Sequence, residues 1–295
     1  MPVPDGLVVV DKPSGWTSHD VVAQVRKLAH TRKVGHAGTL DPMATGVLVL
    51  GVERATRLLT YMVGADKEYE ATIRLGESTV TDDAEGDVLD VVDAGDVTDE
   101  AIEQAMAPLR GSIDQIPSSV SAVKVGGRRS YARVRAGEVV ELAARPVVVR
   151  RFEALAIRRS SPRERAVVDV DVVVECSSGT YVRALARDMG GALGVGGHLA
   201  ALRRTRLGPY TLSSARTLEE LAADFQVMPL AEVARKAFPV RELSADEARR
   251  LAHGQRLKAV GMGDKPVAAF DPDGWLVALV SESGPTARPL LVLRG

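Results

Sequence analysis

The sequence predicts an α+β protein of roughly two domains. Three observations carry this expectation. Residues 67–75 alternate strictly, with Tyr69, Ala71, Ile73 and Leu75 set against Glu68, Glu70, Thr72 and Arg74, the period-two pattern of a half-buried strand. Val21, Val22, Val25 and Leu28, and again Val182, Leu185 and Met189, fall at the three- and four-residue spacing of amphipathic helices. A chain of 295 residues, at about 150 per domain, exceeds one average core, and its character changes after Phe238-Pro239.

The elements follow in order. Residues 7–10 (LVVV) read as a buried strand closed by Asp11-Lys12-Pro13, and the helix after it has Thr17 or Ser18 as its cap. Residues 30–46 hold glycines and Pro42 and read as loop. Residues 47–52 suggest a strand and 54–62 a short helix. After the 67–75 strand comes an acidic loop, then a helix over 99–109 capped by Thr98, with Ile102, Met106 and Leu109 inward and Gly111 at its end. Residues 115–145 read as an extended hairpin or arm. Residues 147–157 and 166–175 are β-rich, and Val168, Val170, Val172 and Val174 share a face. Residues 179–189 form a loop-to-helix junction followed by Gly190 and Gly191. Thr217 with Glu220, and Ser244 with Glu247, have the spacing of capping boxes. A boundary near 238 leaves a module with a helix at 245–252 stopped by Gly254 and strands near 266–271, 275–281 and 290–294, the first two joined by a tight turn at Asp273-Gly274.

Composition narrows the function classes. With 45% hydrophobic and 26% charged residues the chain can bury a sizeable core. Its apolar runs are far shorter than the ~20 residues of a membrane helix, and its start lacks the pattern of a secretory signal. The single cysteine, Cys176, excludes an intrachain disulfide and a multi-cysteine zinc site, and favours a reducing, cytoplasmic setting. The net charge of −1 conceals an asymmetry. Of 39 acids, eleven lie in residues 75–109, where there is no Lys or Arg, leaving 28 against all 38 bases elsewhere, a net of +10. Arginines cluster at 128, 129, 133 and 135, at 145, 150 and 151, and at 203, 204 and 206. Such clusters are either solvated faces or contacts for a polyanion, whose counterions they would release.

The sequence carries no phosphate-binding P-loop and no dinucleotide glycine fingerprint. Its five histidines show no metal-ligand spacing, and it has no serine-nucleophile elbow. What remains is the loop from Gly35 to Gly46 around Asp41. Glycines there let backbone approach a ligand, Pro42 stiffens Asp41, and a carboxylate so placed can act as nucleophile or base. The alternative is an aspartate that closes a turn or caps a helix. Arg183 and Arg187 lie on the helix face opposite Val182, Leu185 and Met189. Arg183 can hold a catalytic carboxylate or join a surface ion pair with Asp188 or another acid. Tyr69, on the apolar side of its strand, is either a core residue or a stacking platform for an extruded base.

Taken together, GLVVVDKPSGWTSHDVV, KVGHAGTLDPMATGVLVLGV, KEYEATIRLG, SGTYVRALARDMG and HLAALRRTR resemble, in order and spacing, the successive motifs of the TruB family of tRNA pseudouridine-55 synthases over residues 6–215. The C-terminal segment resembles, more weakly, a PUA-like RNA-binding module. The resemblance implies a catalytic domain over 1–237 built on a mixed, mostly antiparallel sheet with flanking helices and a central cleft, and an RNA-binding module over 238–295. It implies an isomerase that turns the T-loop uridine of tRNA into pseudouridine, with neither metal nor cofactor, as a monomer with no obligate protein partner. By motif position Asp41 is the essential carboxylate and Arg183 its arginine partner. Tyr69 stacks on the flipped base and is a candidate to take the final proton from its carbon, and His36 fills the gap the base leaves. Lys12 and Tyr181 support the site, Leu202 borders the pocket, and Arg203 and Arg204 contact the RNA backbone. One departure stands out. The family arm often reads Q-x-P-P-x-Y-S-A-x-K, and here Ser118 and Val120 replace the second proline and the tyrosine. That weighs against a stiffening or stacking role at those positions, not against the chemistry at Asp41. The rival reading is a non-catalytic RNA-binding or tRNA-folding protein on the same scaffold, and a third is a pseudouridine synthase acting on another RNA.

Overall fold

The computed structural model describes residues 5–118, 124–125, 128–129, 142–161 and 165–293. The chain divides into two compact units: Met1–Asp41, Gly46–Gly64 and Gly208–Gly295 form the first, and Pro42–Thr45 with Ala65–Leu207 the second.

In the first unit the strand Gly6–Lys12, buried at every position but Asp11, runs antiparallel to Gly46 through Val52 on one side, and at Gly6 and Leu7 to Pro229 and Met228 on the other. Gly6 is required there, because a Cβ would stand 2.2 Å from the Met228 carbonyl oxygen. The helix Ser18–Leu28 is capped by Thr17 in a reciprocal box with Asp20, and it buries Val21, Val22 and Val25. The stretch read as loop contains a strand, Val34–Ala37, paired with Val52 back to Val49. Four residues including a glycine carry little β signal of their own, and the strand exists because an apolar neighbour offers it a ladder. The helix expected at 54–62 is instead a 3-10 turn, Glu53–Arg57, and a single α turn, Leu59–Met62, neither with a side-chain cap.

The C-terminal part of this unit holds a five-stranded sheet in the order Val240–Glu242, Val267–Phe270, Leu276–Ser283, Thr286–Val292, Leu257–Lys258. Its core gathers Leu243, Leu251, Leu257, Val267, Val280 and Ala287. The helix Ala245–Ala252 has the expected Ser244–Glu247 box, and Gly254 and Gly274 take positive φ at its stop and in the hairpin turn. The Thr217–Glu220 box is likewise formed.

In the second unit five strands follow one another antiparallel: Gly197–Leu207, Lys67–Leu75, Val167–Cys176, Arg145–Ser160 and Gly111–Gln115. The alternating face of Lys67–Leu75 is buried as its pattern requires. Val168, Val170, Val172 and Val174 are buried, and so are Val167 and Val173, so this strand is covered on both faces. The helix Asp99–Met106 is capped by Thr98 and tightens into a 3-10 turn at Ala107–Leu109 around Pro108. The acidic segment is not simply a loop: Glu77–Thr79 and Val88–Val91 pair antiparallel. The helix Val182–Ala192 runs through Gly190 and Gly191 instead of ending before them. A Cβ on Gly190 would lie 2.2 Å from the Gly197 nitrogen, so that glycine serves close packing and not termination. The arm expected at 115–145 falls largely outside the described residues, as do Val120, Arg133 and Arg135. A short antiparallel pairing of Lys124–Val125 with Arg128–Arg129 is described within it.

Candidate active site

The first unit holds Lys12, His36 and Asp41. Asp41 follows Leu40 in the loop between the Val34–Ala37 and Thr45–Val52 strands. Ser18, 1% exposed, fixes that position. Its hydroxyl accepts from the Leu40 amide at 2.9 Å and donates to the Leu40 carbonyl at 3.1 Å. A helix residue therefore clamps both backbone polar groups next to the aspartate, satisfying them away from water. Lys12 is fully buried, and its ammonium donates to the carbonyls of Pro13 (2.9 Å) and Trp16 (2.6 Å), closing the turn that enters the helix. His36 stands on its strand edge-to-face with His19, ring centroids 5.8 Å apart.

The second unit holds the other six candidates. Antiparallel register places Tyr69 opposite Arg204 on one side and Val174 on the other, and Leu202 opposite Ala71. Directly opposed residues share a face, so Tyr69, Leu202 and Arg204 lie on one surface of the sheet. Tyr69 is 7% exposed and Leu202 8%. Arg204 is fully buried, whereas Arg203 is half-buried with Nη1 3.2 Å from the Thr45 hydroxyl. Arg206 pairs with Glu175 at 2.8 Å. The 203–206 cluster is thus not one solvated basic face, because alternation along the strand turns Arg204 inward. Burial, followed by the charge of Arg204, pulls the Lys67 ammonium below its ordinary value.

Arg183 does not lie on a surface. It is 4% exposed on the first turn of Val182–Ala192. Nη1 lies 3.3 Å from Asp83 Oδ2 and donates to the Thr81 carbonyl at 3.0 Å. Asp83 is itself buried, its other oxygen taking the Thr81 hydroxyl (2.5 Å) and the Glu85 amide (3.1 Å). The helix entrance is set by Gln115, whose amide oxygen accepts from the Tyr181 nitrogen at 2.8 Å and whose amide nitrogen donates to the Tyr181 carbonyl at 3.1 Å. Asp82, the residue before Asp83, faces Arg187 at 3.3 Å. Burial raises its carboxyl above the usual range despite the hydroxyl of Ser118 and the arginine.

Asp83, Gln115 and Ser118 do not stand out in the sequence as site residues. In a run of eleven acids nothing distinguishes the one that is buried, and Gln115 and Ser118 act through contacts with residues far away in the chain. Chemically, the second unit offers a buried guanidinium with fixed acceptors and a tyrosine beside a cation. The first offers a carboxylate on a clamped loop.

Comparison with known proteins agrees along the chain. Residues 26–182 match the family model described as TruB family pseudouridylate synthase, N-terminal domain. Residues 183–234 match the tRNA pseudouridylate synthase B C-terminal domain, and 238–294 the C-terminal model of tRNA pseudouridine synthase II. The chain is 63% identical over 295 residues to tRNA pseudouridine synthase B of Arthrobacter sp. (strain FB24), covering 97% of this chain and 96% of that protein. It is 59% identical over 291 residues to the protein of the same name from Thermobifida fusca (strain YX), covering 99% of each. Among solved structures, a Cbf5-Nop10-Gar1 complex is similar at a TM-score of 0.76 and 28% identity, over 99% of this chain and 86% of the other. An H/ACA RNP bound to a substrate RNA containing 2'-deoxyuridine is similar at 0.74 and 27%, over 98% and 85%. With matches spanning residues 26–182, 183–234 and 238–294, this chain belongs to the TruB family of pseudouridylate synthases.

Proposed function

We propose that the chain is a tRNA pseudouridine synthase that isomerises the T-loop uridine at position 55. The observation that carries this is the near full-length identity to relatives named tRNA pseudouridine synthase B. The reaction breaks the N1–C1′ glycosidic bond, turns the base, joins C5 to C1′, and gives up the C5 hydrogen as a proton while the freed N1 takes one up. Product and substrate are isomers.

In this reading the uridine leaves its stack, at a cost of a few kcal/mol. Tyr69 stacks on it, and His36 occupies the space it vacates. Asp41 attacks the sugar or takes part in removing a proton from it. An ordinary aspartate has a pKa of about 3.9, so its charge at neutral pH needs no special device. The Ser18 clamp on Leu40 supports a fixed approach for that carboxylate, which is where proximity gives rate. Arg183 is its arginine, Lys12 and Tyr181 support the loop and the helix entrance, and Leu202 borders the pocket. Arg203 contacts phosphate. Arg204, buried beside Tyr69 on the same face of the sheet, contributes positive charge there. Residues 238–295 add RNA-binding surface to a catalytic domain over 1–237, and the enzyme works in the cytoplasm as a monomer.

The test is tritium release from a T-loop hairpin labelled at uridine C5, with Asp41→Asn alongside the native protein. The expected result is release by the native protein and none by the variant, with hairpin affinity retained. Equal release from both would remove Asp41 from its role. Silence from both with tight binding would favour the RNA-folding alternative.

A further inference from the structure

The helix Val182–Ala192 presents two arginines one turn apart, and the acidic turn answers them with two adjacent aspartates. Arg183 faces Asp83 at 3.3 Å and Arg187 faces Asp82 at 3.3 Å. Residues four apart share a helix face, whereas neighbours in an extended chain point opposite ways. Asp82 resolves the mismatch with a left-handed backbone, φ 58°, a conformation that Asp and Asn tolerate better than most residues.

A third segment joins the same place. Arg187 Nη2 donates to the Ile116 carbonyl at 2.8 Å. Ser118, fully buried, donates to the Thr81 carbonyl at 3.1 Å and lies 3.4 Å from Arg183 Nη1. The Thr81 carbonyl is therefore shared by Ser118 and Arg183. Thr81 and Asp83, which both receive Arg183 on this turn, flank the residue that Arg187 grips. An arginine on a flexible stem is placed only as well as the groups that receive it are placed.

We propose that Asp82, Arg187 and Ser118 form a clasp that positions Arg183 and acts on turnover through it, without touching substrate. The proposal rests on the reading of Arg183 as part of the active site. The clasp makes the acidic segment the receiving wall for the site arginine. It also gives Ser118 a use that a proline at that position could not supply, because the hydroxyl bridges the turn and the guanidinium.

The experiment is a double-mutant cycle read by single-turnover tritium release. Asp82→Asn and Ser118→Ala are each made in the native protein and in an Arg183→Lys background, with hairpin affinity and thermal melting measured for all. Asn keeps the left-handed backbone and the shape while removing the charge. The expected result is that each variant slows turnover about tenfold in the native background and less than about twofold once Arg183 is already lysine, because a residue that acts through another has nothing left to position. Hairpin affinity stays within about twofold throughout. Equal slowing in both backgrounds would mean a general structural role and would overturn the proposal, as would unchanged turnover in the native background. If Arg183→Lys alone leaves turnover intact, the reading of Arg183 fails first, and that outcome is separate from failure of the clasp.

Discussion

Two arginines in this molecule are equally hidden and differently held. The side chains of Arg183 and Arg241 are each 5% exposed, and each faces a carboxylate almost as buried, Asp83 at 4% and Glu282 at 6%. In the C-terminal module the carboxylate is saturated by backbone: Glu282 accepts from the amides of Val260, Gly261 and Met262 at 2.7, 2.8 and 2.7 Å. Arg241 stands 3.7 Å from it, and its shorter bonds go to Glu247 at 2.8 Å and the Lys258 carbonyl at 3.0 Å. That arrangement fastens a loop to a sheet. Around Arg183 the acceptors come from a turn containing a left-handed aspartate, and the object being held is the guanidinium. Burial of a charge alone does not separate a fastening from a site. The two pairs differ in how the carboxylate is held: three loop amides saturate Glu282, whereas Asp83 takes one amide and the Thr81 hydroxyl and leaves its second oxygen to the guanidinium.

The largest expected effect tests this division. Arg183→Met should lower single-turnover tritium release by about a hundredfold or more, the scale of losing one preorganised electrostatic group, with melting affected less. Arg241→Met should do the reverse. Removing one member of a buried pair costs roughly 3–5 kcal/mol, and the amides that still satisfy Glu282 favour the lower end. Urea unfolding followed by tryptophan fluorescence would report it, since Trp275 lies in that module. If Arg241→Met slows turnover per folded molecule as much as Arg183→Met does, the two arginines are not different in kind.

Next in size is Gly190→Ala. The glycine backs onto the strand that carries Leu202 and Arg204, and a methyl group would meet the Gly197 nitrogen at 2.2 Å and the Gly196 carbonyl carbon at 2.3 Å. Both are backbone atoms that cannot turn aside. Overpacking of this kind costs typically 1–3 kcal/mol, and here it also shifts the helix that carries Arg183. A fall in melting temperature together with slower turnover is expected. A fall in melting temperature with unchanged turnover would show that the aim of Arg183 does not depend on how closely helix and strand pack.

The same contrasts show what the chain discloses about itself before folding. The strand at 67–75 and the Thr217 and Ser244 boxes are legible because their signals are local: period-two alternation and a three-residue spacing. Asp41, Tyr69 and Arg183 stand out only as motifs, since no local pattern distinguishes a loop aspartate that acts from one that caps a turn. The strand Val34–Ala37 is illegible because its stability comes from its partner. Arg204 reads as part of a basic surface because the adjacent Arg203 and Arg206 conceal the alternation that buries it. Asp83 is hidden among like residues, and Gly190 reads as a stop because its packing partner lies on a separate element. Each failure traces to burial or packing that the local pattern of residue types does not encode.

Acid offers a smaller test, confined to the C-terminal region. The amides of Val260, Met262, Gly261 and Gly263 hold the Glu282 carboxyl below its ordinary 4.5 against the opposing effect of burial. A carboxyl depressed in the folded state contributes stability that is complete above its unfolded value and is lost as pH falls through the folded one. The native protein should therefore show no Glu282-linked change between pH 7 and 5 and a progressive one below about 4.5. Glu282→Gln should melt lower at pH 7, and its deficit should shrink as the pH drops. A deficit that stays constant from pH 7 to 3 would mean that shape and not charge engages the amides. Turnover at pH 7, compared at equal folded fraction, should not change.

The smallest effect is the most discriminating for the helix itself. Gly191 follows Gly190 within Val182–Ala192, but it is exposed, and a Cβ there meets nothing within 4 Å. An exposed helical glycine costs about 1 kcal/mol relative to alanine, part of it through the freedom it gives the unfolded chain. Gly191→Ala should therefore raise stability by roughly 0.5–1 kcal/mol, seen as a small rise in melting temperature, with turnover unchanged because no contact of Arg183 is disturbed. Adjacent glycines would then have substitutions of opposite sign, separating the packing requirement at 190 from the mere presence of glycine at 191. If Gly191→Ala destabilises, the helix does not continue through 191 as a regular α-helix in solution. The close approach at Gly190, and with it the placement of the Arg183 helix against the strand of Leu202 and Arg204, would then have to be redrawn.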